Sequence, residues 1–209
     1  SFDDRSRKIA RAFAQLMIKA GVDFAILGPE EMCNGDPARR AGNEYLFQIL
    51  AKQNIETLNN YKIRKIVTTC PHCYNTLKNE YPDFGGKYEL IRAGRLQPRT
   101  PVPLDLAYHD ACYLGRHNEI YDPPREILSA IPGVRLSEPK QTRDRGMCCG
   151  AGGAQMWKEE EHGTAAVNIT RYEEAAALDV KTIAVGCPFC LTMLTDASKQ
   201  ADQGIEVKD

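Results

Sequence analysis

Five cysteines in the second half of the chain fall in one ordered pattern: Cys112, then Cys148-Cys149-Gly150, then Cys187-Pro188-Phe189-Cys190. Gaps of 35 and 37 residues separate the three groups. Five thiols are one more than a tetrahedral zinc takes. Adjacent cysteines followed by glycine, together with a C-x-x-C, can point several sulfurs into one pocket, as iron–sulfur ligation requires. The pattern points to redox chemistry.

All eight cysteines of the 209 residues sit in such contexts, Cys33-Asn34-Gly35 and Cys70-Pro71-His72-Cys73 included, and none is scattered through a core strand. Ser1-Phe2-Asp3-Asp4-Arg5 lacks the basic start and apolar stretch of an export signal, so the thiols are expected reduced in a cytoplasmic setting rather than paired as disulfides. A first residue other than Met suggests a processed or truncated product. The chain carries 27 basic and 28 acidic residues, a balance with no bulk drive towards nucleic acid or anionic membrane. No apolar run approaches the roughly 18–20 residues of a membrane span.

The chain also repeats itself. KIVTTCPHCYNTLKNE (65–80) reads against TIAVGCPFCLTMLTDA (182–197) at an offset of 117 residues, and Cys33 reads against Cys148 at 115. Two landmarks that agree this closely imply a duplication. A partner of Cys112 in the first copy would then lie just before residue 1, so the sequence is expected to be a fragment lacking that ligand. The patterning predicts a helix over 5–20, a strand over 22–27 and a helix over 37–59 opened by Asp36-Pro37. A strand over 65–69 and a helix from Pro71 follow, then a Pro/Gly-rich linker over 82–103. The second half predicts strands at 104–108, near 133–137 and at 181–186, with helices at 123–131 and about 162–178. The expected fold class is α/β, two pseudo-symmetric repeats (1–95 and 96–209), each a small parallel sheet with flanking helices and the cysteine loops at strand carboxyl ends.

Each C-x-x-C is expected at a helix start, where backbone dipoles lower a thiol pKa. Gly150, Gly152 and Gly153 would let backbone N–H groups approach sulfur. G-A-G-G-A is not the G-x-G-x-x-G of a dinucleotide loop. C-P-H-C also suits a thiol–disulfide oxidoreductase using Cys70 and Cys73, although the same slot in the second copy is C-P-F-C. Asp36 and His72 are read as helix cap or surface group, with metal ligation as the other reading. His109 either donates or relays a proton at the site or is merely packed, with Asp110 as a helix cap. Arg116 either offsets cluster charge or makes an exposed salt bridge. Tyr108, Phe189 and Trp157 are read as core, and Lys158 to Glu161 as a solvated helix face.

YHDACYLGR (108–116), Cys148-Cys149-Gly150 and Cys187-Pro188-Phe189-Cys190 resemble the cysteine-rich CCG domain of heterodisulfide reductase catalytic subunits and related iron–sulfur oxidoreductases. Ala111 stands where that family usually has Pro. GDPARRAGNEYLFQILAKQN (35–54) is similar to bacterial multi-domain iron–sulfur reductases linked to electron-transfer flavoprotein. The resemblance implies an oxidoreductase module with a [4Fe–4S] cluster, cubane or non-cubane, on Cys112, Cys148, Cys149, Cys187 and Cys190. It implies a flavoprotein or ferredoxin-type donor, a quinone or disulfide acceptor, and membrane association only through other parts of a full-length protein. The first copy, with Asn34 in place of a cysteine, keeps Cys33, Cys70 and Cys73 for zinc, a second iron–sulfur cluster or an empty scaffold. A zinc-stabilised interaction module is the remaining reading.

Overall fold

The structure is a computed structural model that describes residues 4–90, 98–159, 163–201 and 204–209. It divides into two compact units, Ser1–Leu96 and Gln97–Asp209.

The first unit opens with α1 (Asp4–Lys19), which Gly21 terminates in the left-handed region at φ +64°. Of its apolar face only Met17 is buried. Residues 22–27 form no strand: they run as irregular chain, and Ile26 is 79 % exposed. A strand is secured by its ladder partner, and none of the described strands pairs there. The expected helix over 37–59 is two helices, α2 (Asp36–Arg40) and α3 (Glu44–Asn60). Gly42 at φ +85° breaks the run, and the Asn43 side chain restarts it by accepting the Leu46 N–H at 3.0 Å. Along α3, Phe47, Ala51 and Ile55 recur at helical spacing and pack with Tyr81, flanked by Leu77, Phe84 and Tyr88. β1 (Lys65–Ile66) is shorter than the five residues expected and leads to α4 (Pro71–Asn75), extended by a π turn and a 3₁₀ turn to Phe84. The segment expected as a linker supplies β2 (Glu89–Leu90), which pairs in parallel with β1, Lys65 opposite Glu89. The part of that segment at 91–97 lies outside the described residues.

The second unit is a four-stranded parallel sheet with helical crossovers, as parallel pairing requires. In chain order it runs β3 (Leu104–Tyr108), α5 (Gly115–Asn118), α6 (Asp122–Ser129), β4 (Val134–Ser137), α7 (Val167–Ala176), β5 (Thr182–Ala184), α8 (Pro188–Ala201) and β6 (Glu206–Lys208). The spatial order is β4-β3-β5-β6, with Leu106 opposite both Leu136 and Thr182. Leu106, Tyr108 and Ala184 form a core cluster with Leu104, Leu128, Val134 and Leu136 against it. α7 is shorter than the helix expected over 162–178, and β6 carries no clear sequence signal because only Val207 of its three residues is half-buried. Lys158 and Glu159 are exposed and non-helical, so the expected helix face is absent there; residues 160–162 lie outside the described set. The chain leaves β3 at His109 and β5 at Val185, so both strands deliver their cysteine loops at carboxyl ends, where parallel sheets of this type place ligand sites.

Candidate metal centre

Three loops of the second unit converge. The first follows β3: the His109 N–H donates to the Ala184 carbonyl at 2.9 Å, tying the loop to β5. Asp110 is no helix cap. Its buried carboxylate takes both Arg125 Nη groups at 2.8 Å each, the Thr142 hydroxyl at 2.9 Å and the Arg143 N–H at 2.8 Å. Arg125 in turn reaches Glu138 at 2.6 Å. This network fixes both the turn that carries Cys112 and the segment that leads to Cys148. Arg116 adds a second tie, from Nη2 to the Gly146 carbonyl at 2.8 Å, and its charge also favours the Cys112 thiolate.

The second loop needs its glycines. Gly150 sits at φ +94°, and a Cβ there would lie 3.2 Å from Met193 Cε and 3.4 Å from the Asn168 nitrogen. The Gly150 N–H donates to Cys148 Sγ at 3.3 Å, and the Gly152 N–H bonds the same sulfur. The third loop is the C-P-F-C start of α8, in which Cys187 and Cys190 are both buried. Phe189 is half-buried under Trp157, ring centroids 5.6 Å apart, and Trp157 is 57 % exposed rather than in the core. Tyr108 is buried as expected.

The thiols meet. Cys149 hydrogen-bonds to Cys148, Cys190 and His109, and Cys190 also bonds to Cys187. Cys112 lies within the charge field of Cys149 and Cys187. His109, Cys149 and Cys190 bring their ligand atoms within 4.8 Å of one another, the one such trio among the described residues. The electrostatics are those of crowded sulfur in a low dielectric, where one group ionises and its neighbours donate to it. The thiol hydrogen bonds from Cys148 and Cys190 hold the Cys149 pKa far below the thiol range. Hydrogen bonding to Cys149 raises both Cys148 and Cys190. Burial, with the charges of Cys149 and Cys187, pushes Cys112 up to about 11. The second cysteine of each C-x-x-C is raised: Cys190 by its bonds to Cys149 and Cys187 and by burial, and Cys73 by its bond to Cys70 and by burial.

The donor set fits an iron–sulfur centre. The compact trio holds two sulfurs and no carboxylate, Cys148 and Cys187 bond to those sulfurs, glycine N–H groups already serve Cys148, and the buried Nη2 of Arg171 has no protein acceptor among the described residues.

In the first unit, Asn54 donates to the Cys33 carbonyl at 2.9 Å and the Tyr81 hydroxyl to the Asn34 carbonyl at 3.1 Å. Gly35, at φ +88°, lies against Phe47, whose ring carbon would be 2.9 Å from an added Cβ. The Cys73 thiol is raised by its bond to Cys70 and by burial, and it feels the charge of Cys33. Asn34 accepts the Asp36 N–H while its own buried Nδ2 has no partner among the described residues. Asp36 and His72 are neither caps nor surface groups: both are buried and joined, Nδ1 to Oδ2, at 2.7 Å. Arg40 holds the other Asp36 oxygen at 2.9 Å, and Glu80 bridges Arg39 and Arg40.

No motif in the sequence marks Arg171. It sits on α7, 1 % exposed, and its Nε donates to His109 Nδ1 at 3.0 Å across 62 residues of chain.

Comparisons with known proteins identify the family. The chain is 51 % identical over 218 residues to the probable iron-sulfur-binding oxidoreductase FadF of Bacillus subtilis, covering 100 % of this chain and 31 % of that protein. It is 45 % identical to the EtfAB:quinone oxidoreductase of Syntrophomonas wolfei, over 97 % of this chain and 30 % of that protein. It is 30 % identical to one polypeptide of the dihydromethanophenazine:CoB–CoM heterodisulfide reductase of Methanosarcina barkeri, over 97 % of this chain and 54 % of the relative. The chain thus spans about a third of the first two relatives and about half of the third. The CCG cysteine-rich domain model matches residues 1–78 and 106–195, and the chain belongs to that family.

Proposed function

We propose that this chain is an iron–sulfur electron-transfer module of a heterodisulfide-reductase-like oxidoreductase. The observation that carries the reading is the buried group of His109, Cys149 and Cys190, to which Cys148 and Cys187 are tied by hydrogen bonds and Cys112 by charge. These five residues would hold a [4Fe–4S] centre, and five thiolates admit the non-cubane form as well as the cubane. When bound, such a centre supplies a site that accepts and returns single electrons at a potential set by its sulfur environment.

The chain's own groups supply the rest. Gly150 and Gly152 give N–H groups to the Cys148 sulfur. Arg116 and Arg171 place positive charge around an anionic sulfur set. The Asp110–Arg125–Glu138 network holds the first loop in register with the second. The names of the relatives support a flavoprotein or ferredoxin-type donor, and a quinone or disulfide acceptor that takes two electrons and two protons per turnover. Cys33, Cys70 and Cys73 would form a secondary site for zinc or a second cluster. The two matched stretches support reading the units as two copies of one repeat. No helix among the described residues is long and apolar enough to cross a membrane. We place the module on the cytoplasmic side, with any membrane part elsewhere in the full protein.

Anaerobic reconstitution with iron and sulfide tests the reading. The expected product is brown, with about four irons at the five-thiol site and a paramagnetic signal on reduction. Cys149→Ser removes or alters that signal. Protein that stays colourless and binds only zinc overturns it.

A further inference from the structure

The pairing of Arg171 with His109 decides what the imidazole does at the centre. A guanidinium has N–H donors and no acceptor, so the 3.0 Å contact from Arg171 Nε requires a lone pair on His109 Nδ1. A neutral ring with a lone pair at Nδ1 carries its proton on Nε2. Neither partner can turn away. His109 is 1 % exposed with its backbone bonded to Ala184. Arg171 is clamped at Nη1 by the Gln141 carbonyl at 2.8 Å and Glu174 at 2.6 Å. His109 lies within 4.8 Å of the Cys149 and Cys190 sulfurs, so with Nδ1 taken by Arg171 the proton it has to offer them is the one on Nε2.

This inverts the usual arrangement at metals. A ligating imidazole donates its second N–H to a carboxylate or carbonyl, which frees the other nitrogen for the ion. Here a cation donates into the ring instead, and the nitrogen that faces sulfur holds a proton. We propose that Arg171 is a positioning residue that holds His109 as a neutral Nε2–H donor to the Cys149 sulfur, which keeps the imidazole out of the ligand set and makes it a tuning group of the centre. The tuning role rests on the cluster reading above; the tautomer does not. A donor to a ligand sulfur stabilises the more negative, reduced state and raises the potential.

The test begins with reduced, metal-free chain labelled with ¹⁵N-histidine. His109 is expected as the Nε2–H tautomer, with an unprotonated Nδ1 shift. Arg171→Met removes the donor, so the population moves towards Nδ1–H or a mixture, whereas Arg171→Lys, which keeps one donor, restores much of the original pattern. A His109 that carries its proton on Nδ1 in the unsubstituted chain overturns the proposal, and that measurement decides the matter even if Arg171→Met does not fold. An unchanged tautomer in folded Arg171→Met also overturns it. In reconstituted protein, His109→Leu, which has no N–H to give the sulfur, is expected to keep its iron and show a lower midpoint potential. Loss of iron on that change would make His109 a ligand and defeat the proposal. Failure of the unsubstituted chain to take up iron, with the tautomer as expected, would instead remove the cluster reading and leave the Arg171–His109 assignment standing.

Discussion

Single residues set the sulfur geometry through the backbone as much as through thiols. Gly150 combines a left-handed φ of +94° with contacts of 3.2 and 3.4 Å to Met193 and Asn168 at the position a Cβ would take. Gly150→Ala should therefore cost about 1–3 kcal/mol in the metal-free, reduced chain, seen as a lower urea midpoint at unchanged slope. It should also misplace the N–H now given to Cys148, so reconstitution would yield less iron per chain. The cysteines and Gly150 are legible because residue type and spacing announce them. His109 is only half legible. Its neighbours in sequence allow both a packed and a donating role, and the deciding partner, Arg171, lies 62 residues away on a helix whose arginine reads like any surface charge. Burial to 1 % is what changes its meaning, and burial belongs to the fold. Trp157 shows the opposite failure: an aromatic expected in the core is 57 % exposed.

At the scale of elements, strands and helices with a strong pattern are readable, and those held by partners are not. β3 and α3 carry their own periodicity. β2 and β6 are two- and three-residue edges that exist because β1 and β5 present open ladders to them, and residues 22–27 have strand-like composition with no ladder to join among the described strands. The Asp110–Arg125–Glu138 network belongs to the same hidden class, since it links the end of β3, α6 and the segment after β4. Arg125→Met leaves Asp110 buried without its cation. The expected loss is about 3–5 kcal/mol at neutral pH, and Asp110→Asn in the same chain should recover part of it. The pH dependence follows from sign. Burial raises the Asp110 pKa, but the bonds from Arg125, the Arg143 N–H and Thr142 outweigh it and hold the folded value below 3.8. A depressed folded pKa gives stability that is present above 3.8 and is lost as pH falls through the folded value. The gap in unfolding free energy between the unsubstituted chain and Arg125→Met should thus be widest near neutral pH and narrow below about pH 4. A gap that does not change between about pH 7 and pH 3 would mean that Arg125 acts by packing alone.

For the molecule as a whole, the two units carry one sequence pattern to different ends. In the second, Cys149 and Cys190 lie in one compact group with His109, and hydrogen bonds from Cys148 and Cys190 lower the Cys149 pKa. In the first, Asn34 occupies the slot of a cysteine, and the three remaining thiols do not form a compact trio among the described residues. Its buried polar character has moved to Asp36, His72, Arg40 and Glu80, a set satisfied by its own pairing. A self-satisfied network gains little from an ion, whereas crowded thiols gain much, because a cation relieves their mutual repulsion and releases their protons. Removal of the first site should therefore leave the second intact. The triple variant Cys33→Ser, Cys70→Ser, Cys73→Ser is expected to retain about four irons per chain and the paramagnetic signal after reconstitution, and to lose only zinc or the second cluster if either binds there. Cys187→Ser alone should lose most of that iron. Equal loss of the signal in both variants would mean that the first cysteine set is needed for iron at the second, and the asymmetry drawn from the geometry would be wrong.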